Sequence, residues 1–435
     1  MNAVDIIIKK RDGKKLEKDE INYFIQEYTN GNIPDYQASA WAMAVLLNGM
    51  DNTEISQLTM AMAHSGHMLD ISKAVDYACD KHSTGGVGDK TTLIVQPIVT
   101  ACGIPVAKMS GRGLGFSGGT IDKLESFPGI QLFLSEEDFL AQLKKYHTVI
   151  AGQSKDLAPA DGKLYALRDV TGTVPSPALI ASSIMSKKLA VSTNAILLDV
   201  KVGKGAFMKD LDSAKNLANI MVSIGKHAGR IMKAELSDMN QPLGYAVGNI
   251  LEVKEAISLL MNQPAAPDLY THCVDSSAQL LLMAKQVSTL EEARKKVLSV
   301  IENGKALEML KLLIGIQKGD TSYIDHPDKF PQAPFIKVCE SKESGFIHEI
   351  DAEEVGETSV DLGGGRRKKT DSIDHTVGIE IHHKVGDKIE KGEPLFTVHA
   401  ASEISLKTAE DRLYKAHVIQ PETCEALPQF FGIVE

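Results

Sequence analysis

Apolar positions in the first seventy or so residues recur at helical spacing. Asp35 reads as an N-cap for an apolar helix over 36–47 that ends at Asn48-Gly49. Asp51-Asn52-Thr53-Glu54 opens another, running through Leu58, Met60 and Met62 to Ser65-Gly66. The methionine and leucine stripes read as core. From Ala74 the pattern becomes short apolar strands, glycine loops and helices in alternation, the α/β signature. It predicts helices over 91–102 and 120–126, a helix capped by Ser135, and strands over 105–109 and 149–151. Helical spacing returns over 158–190, where Ser176-Pro177 opens a helix carrying Ser183 and Lys187. A buried strand over 195–200 follows, then a long helical tract with strands to about residue 330. Pro327, Pro331 and Pro334 punctuate a linker, and the remainder reads as β-rich. Within it, 385–395 has the look of the hairpin of biotinyl- and lipoyl-type carrier domains, without the exposed lysine that such domains modify.

Composition narrows the partners. The chain has 435 residues, enough for two or three domains, and its 43% hydrophobic content is that of an ordinary globular protein. A net charge of −10 argues against broad nucleic-acid or acidic-membrane binding, although a local basic pocket can still hold an anion. The five cysteines are scattered and form no C-x-x-C pair, which reads as reduced thiols. The first residues lack a signal-peptide apolar core, and no apolar run approaches membrane-spanning length. The expectation is a soluble cytoplasmic protein.

The chemistry concentrates between Lys81 and Glu125. Two glycine-rich loops, 81–92 and 110–120, each precede a helix start and flank one short strand. Glycines let backbone N–H groups converge, helix N-termini add partial positive charge, and Lys81, Lys108 and Arg112 add full charges. Together they describe a phosphate site. Three short patterns within it mislead. Gly113-x-Gly115-x-x-Gly118 satisfies the dinucleotide fingerprint but has Arg112 in the turn and no ribose-binding acid; Gly115-Phe116-Ser117-Gly118-Gly119 satisfies the hydrolase elbow without a triad. Asp89 stands where a P-loop needs glycine. Near the end, the basic run 366–369 reads as a solvated turn or an anion contact.

These two loops, with Asp5–Gly13, Leu164–Thr171, Ser182–Lys188 and Gly363–Arg366, resemble the pyrimidine nucleoside and thymidine phosphorylases over essentially the full length. The resemblance implies an α/β and α+β multidomain fold: an all-helical lobe faces an α/β lobe across a cleft, with a C-terminal β-rich, carrier-like domain. The helical lobe would comprise 1–68 and 158–194, the α/β lobe 69–157 and 195–330, and the C-terminal domain 331–435. The activity implied is phosphorolysis of pyrimidine nucleosides by a homodimer, with no organic cofactor. Phosphate would be held by Lys81, Ser83, Thr92, Lys108, Ser110 and Thr120. Arg168, Ser183 and Lys187 would bind the base, with Tyr165 and Phe207 packing on base or sugar. His82 would donate a proton to the leaving group, or else order its loop; Arg112 would contact phosphate or brace the second loop. A potassium ion would be held by backbone oxygens of Gly88, Lys90, Leu243 and Ala246 and by the carboxylate of Glu255. Lys90 stands where relatives carry a small or hydroxyl residue, so its ammonium competes with that ion. Phe116-Ser117 replaces a His-Thr pair common in relatives. The glycine loops also resemble those of anthranilate phosphoribosyltransferase, which would need an acidic metal pair absent from the segments after the loops. The remaining alternatives are a thymidine-specific phosphorylase and, of another class, a non-catalytic carrier protein.

Overall fold

The computed structural model describes residues 1–435 apart from 114, 154, 155 and 369, so Leu114 of the second glycine loop and Lys369 of the basic run lie outside the described residues. Local capping sets the first four helices. Asn2 caps α1 (Ala3–Arg11), a Glu17/Glu20 capping box opens α2 (Lys18–Asn30), and an Asp51/Glu54 box opens α4 (Asn52–Ala63). Between them, α3 (Asp35–Asn48) begins after Pro34, which occupies the cap position itself. Asp35 therefore falls in the first turn, and its carboxylate accepts a hydrogen bond from Tyr28 Oη at 3.2 Å.

The chain then crosses to a second lobe through β1 (Cys79–Ser83), α5 (Thr91–Ala101), β2 (Val106–Ser110), α6 (Thr120–Leu124), α7 (Glu136–Tyr146) and β3 (Thr148–Gly152). It returns to the first lobe for α8 (Pro159–Asp169) and α9 (Pro177–Leu189). It crosses again for β4 (Ala195–Val202), α10 (Leu211–His227), β5 (Ile231–Asp238), β6 (Ala246–Val247), α11 (Asn249–Leu260), α12 (Pro267–Met283), α13 (Leu290–Glu302), α14 (Lys305–Ile316) and α15 (Ser322–Asp325). The last part holds β7 (Phe335–Glu340), β8 (Gly345–Ile350), α16 (Ala352–Ser359), β9 (Gly378–Ile381), β10 (Lys388–Ile389), β11 (Pro394–Ala400), α17 (Glu403–Ala416), β12 (His417–Gln420) and β13 (Phe430–Val434).

The main sheet has the order β13-β5-β4-β1-β2-β3 and is parallel except at β13. All of β4 is buried, as a strand covered on both faces must be. The helical core is centred on Trp41, fully buried and stacked on Phe24 with ring centroids 4.9 Å apart. Here α4 packs on α9 and α2 on α8, so the two tracts separated by the α/β segment close one lobe.

Two features differ from the sequence reading. The 385–395 segment is not a hairpin: β10 pairs with β8 in a three-stranded sheet, whereas β11 lies between β7 and β9 in a four-stranded one. The segment is a turn that carries the chain between sheets. The last tract also does not stay apart, because β13 pairs antiparallel with β5 of the main sheet and β6 pairs with β9. Edge pairing of this kind satisfies backbone groups that an open sheet would leave exposed.

Truncating Trp41 to alanine empties the middle of the helical lobe. Denaturant unfolding of Trp41→Ala is expected to show a loss of about 3–5 kcal/mol.

Candidate active site

The strands β1 and β2 run parallel and end side by side, at Ser83 and Ser110, so both glycine loops leave the carboxyl edge of the sheet where α/β proteins bind ligands. Facing them are α8 and α9 of the helical lobe. Between the lobes lies a cleft of about 360 Å³. One wall carries Ser83, Thr92, Lys108, Ser110 and Thr120; the other carries Tyr165, Arg168, Ser183 and Lys187. His82 and Phe207 also line it. Two consecutive helices thus bring Arg168 and Lys187 to one surface.

Lys81 is the member of the expected phosphate set that lies beneath this wall. Successive strand residues turn to opposite faces, and Lys81 turns inward, donating to Asp199 Oδ2 (2.6 Å) and Thr91 Oγ1 (2.5 Å). Burial lowers its pKa, but the carboxylates of Asp199 and Asp89 outweigh that and hold it above its ordinary value. Asp199 also meets Lys201 at 2.8 Å and accepts from His272 Nε2 at 2.9 Å, forming a buried ionic floor under the loops.

Above this floor a second carboxylate, Asp80, serves two lysines. Lys108 Nζ lies 3.3 Å from its Oδ1 and Lys188 Nζ donates to its Oδ2 at 2.8 Å. One carboxylate does not neutralise two ammoniums, so burial and the charge of Lys188 push Lys108 down to about 8 despite Asp80. His82, half-buried beside them, is held well below the ordinary histidine range by burial and then by Lys188, Lys108, Lys187 and Lys81. Its ring is neutral near pH 7 and offers one N–H and one acceptor nitrogen.

On the helical wall, Arg168 is almost wholly buried and donates to three backbone carbonyls: Thr173 (3.3 Å), Leu179 (3.1 Å) and Val174 (2.7 Å). These bonds fix the guanidinium plane, and the five-donor inventory leaves N–H capacity for a ligand. Lys187 Nζ donates to Asp161 Oδ2 at 2.6 Å and to Ser183 Oγ at 3.3 Å. Arg112 bonds Asp122 Oδ1 at 3.1 Å and pairs with Glu125 through both terminal nitrogens, which braces the second loop; Arg366 joins the same Asp122 at 2.7 Å. Arg367 pairs with Asp361 and Glu357, so these two arginines of the basic run are spent on carboxylates. Phe116, of the altered pair in the second loop, lies 6.2 Å from Phe207 between ring centroids, and Ser117 lines the cleft.

Lys90 does not reach the cleft. Its Nζ lies among the oxygens of Leu243, Ala246 and Glu255. Among the described residues no cluster of three or more His, Cys, Asp or Glu side chains could hold a metal ion.

Sequence reasoning missed Lys188, Asp80, Asp161 and Asp199 as parts of this site. Lys188 had a signal, as the second member of a lysine pair on a helix that carries Lys187. Asp80 and Asp161 had none, because they meet their lysines across 26 to 108 residues. Asp199 has Lys201 two positions along its own strand, but its other lysine, Lys81, lies 118 residues away.

A glycosyl transferase family a/b-domain model matches residues 76–307, the corresponding helical bundle domain matches 4–66, and a pyrimidine nucleoside phosphorylase C-terminal domain matches 346–420. The pyrimidine-nucleoside phosphorylase of Staphylococcus haemolyticus is 53% identical over 93% of both chains, and that of Bacillus subtilis 52% over 93% of both. The protein of the same name from Geobacillus stearothermophilus is 50% identical over 95% of both. Among solved structures, the anthranilate phosphoribosyltransferase of Thermus thermophilus superposes with a TM-score of 0.60 at 17% identity, covering 72% of this chain and all of that one. At that identity the likeness is one of fold. No helix among the described residues is long and apolar enough to cross a membrane.

A lysine with a depressed pKa carries its charge below that pKa and loses it above. Inorganic phosphate is therefore expected to bind the free protein more weakly as pH rises through about 8. Calorimetric titrations at about pH 7 and about pH 9 check this, and Lys108→Arg, charged throughout, should flatten the dependence. Wild-type affinity that rises over this interval would contradict the assignment of Lys108.

Proposed function

The chain belongs to the pyrimidine-nucleoside phosphorylase family, and we propose that its substrates are uridine, thymidine and deoxyuridine, cleaved by inorganic phosphate to free base and (deoxy)ribose 1-phosphate in nucleoside salvage and catabolism. The observation that carries this reading is the pairing of two chemically distinct walls in one cleft. A hydroxyl and ammonium wall suits an oxyanion, and an Arg/Ser/Lys wall suits a planar ring with carbonyl oxygens.

Bound phosphate lies against Ser83, Thr92, Lys108, Ser110 and Thr120, which orient one oxygen toward the anomeric carbon without a covalent intermediate. As that C–O bond forms, the glycosidic C–N bond breaks and its electron pair passes to the base. The charge gathers on the base carbonyls, where Lys187 and Arg168 stand. His82 meets the departing base through its neutral N–H. The arriving phosphate offsets the lysines that hold the imidazole uncharged and so raises its proton affinity; having taken a proton from the monoanion of phosphate or from water, the ring passes one to the departing base and returns to its neutral form. Tyr165 and Phe207 pack on base or sugar. Closing the two lobes excludes bulk water from this exchange. Lys81 supports the wall from below through Asp199 and Thr91.

We read the working unit as a homodimer. Val4 and Ile8 on α1, and Met43 and Leu47 on the adjoining α3, are exposed apolar side chains that a second copy would cover.

An ultraviolet assay with thymidine and with uridine, each with and without inorganic phosphate, is expected to show cleavage of both, and only with phosphate. Cleavage without phosphate would overturn the nucleophile assignment, and cleavage of thymidine alone would narrow the substrate range. Lys187→Ala should lower kcat by about 10²–10³, the scale of losing one preorganised electrostatic contact. Circular dichroism should show its fold retained, and near-wild-type turnover would remove Lys187 from the mechanism.

A further inference from the structure

The first glycine loop ends at Lys90, directly before α5, and the side chain of this residue turns into the protein rather than into the cleft. Its Nζ donates to the carbonyl oxygens of Leu243 (2.8 Å) and Ala246 (2.9 Å) and to Glu255 Oε2 (2.6 Å). Glu255 is itself fixed, because its two oxygens accept the backbone N–H groups of Tyr245 (2.7 Å) and Ala246 (2.9 Å). Lys90 is 1% exposed.

The walls of this cage are at contact distance. Gly244 has φ +75°, and a Cβ there would lie 2.7 and 2.8 Å from the Glu255 oxygens and 2.8 Å from Lys90 Nζ. A Cβ at Gly88, on the loop side, would lie 2.6 Å from the Leu243 carbonyl oxygen. From the outside, Lys384 Nζ grips the same segment through the carbonyls of Pro242 (2.5 Å) and Gly244 (2.8 Å).

The potassium ion implied by the family resemblance would need the oxygens of Leu243, Ala246 and Glu255, together with the backbone of Gly88 and Lys90. Three of those five groups are already bonded to an ammonium, and a second cation beside it would face its full repulsion in a buried site. A free ion does not fit. We propose that Lys90 is the resident cation of this cage, a tethered ammonium that fastens the first glycine loop to the 242–246 segment and frees the protein from any requirement for a monovalent ion. Tethering gives the charge a high effective concentration at the cage, so it does not dissociate as a free ion would.

The test does not depend on the proposed reaction, since thermal unfolding reads the cage without substrate. At equal ionic strength, the wild-type Tm should be the same in potassium, sodium and choline chloride, as should phosphorolytic turnover. A rise in Tm or turnover specific to potassium would overturn the proposal. Lys90→Ala should lower Tm in choline chloride by about 5 °C or more, because the mostly enclosed Glu255 then loses its counter-charge. Potassium should restore part of that loss by entering the vacated cage. A Lys90→Ala protein as stable in choline chloride as the wild type would also overturn it. Should the variant fail to fold, the wild-type salt comparison decides.

Discussion

An ammonium taken out of water costs several kcal/mol unless a carboxylate and further acceptors meet it, and this fold buries many lysines. The solution is repeated at each one. Lys10 meets Glu54, Lys81 and Lys201 share Asp199, Lys90 meets Glu255, Lys108 and Lys188 share Asp80, and Lys123 meets Glu252. Most of these pairs lie at or beneath the carboxyl edge of the main sheet. They hold the two glycine loops, α5 and α9 in one arrangement, since losing either partner strands the other charge. The ionic floor also reaches the last strand: Gln429, just before β13, donates to His272 Nδ1 at 3.0 Å, and His272 bonds Asp199.

The sharing is uneven. Where a carboxylate serves one lysine, the pair is closed. Asp199 serves two, but the charge of Asp89 also reaches Lys81 and helps to balance the floor. Asp80 serves two on the cleft wall and leaves net positive charge there, which adds to burial in depressing the pKa values of Lys108 and His82. Such a wall is stabilised by an incoming anion. In the proposed reaction binding energy and catalytic readiness come from one source, because the anion that would complete the charge balance would also be the nucleophile. The neutral imidazole waits within the same field.

Much of this was legible in the sequence because its signals are local. Glycine loops, a Ser-Pro helix start and capping residues act within a few positions, and they marked both loops and the start of α9; that these face one cleft was implied only by the family resemblance, and residues of all three line it. Arg168 and Lys187 belong to neighbouring helices, so motif resemblance and geometry agree there. What sequence did not carry is direction and distant pairing. Lys81 belongs to the motif, yet the pleat of β1 sends it below the wall that His82 lines. Asp199 meets Lys81, and Glu255 meets Lys90, through tertiary packing, which no spacing encodes. The 385–395 turn has the composition of a hairpin, but its two strands find better partners in separate sheets, and β13 is drawn to the open edge of β5.

The helical lobe is discontinuous in the chain, and synthesis proceeds in one direction. When α1 to α4 leave the ribosome, the partners that cover α2 and α4 are still unmade, because β1 to β3 and their helices must be translated first. At elongation rates of about 5–20 residues per second the wait is on the order of ten seconds. During that interval a half-lobe with an apolar face is open to whatever else is nearby, and chaperone capture or misassociation competes with completion. The cleft that requires two lobes therefore sets a kinetic condition on how the protein is born.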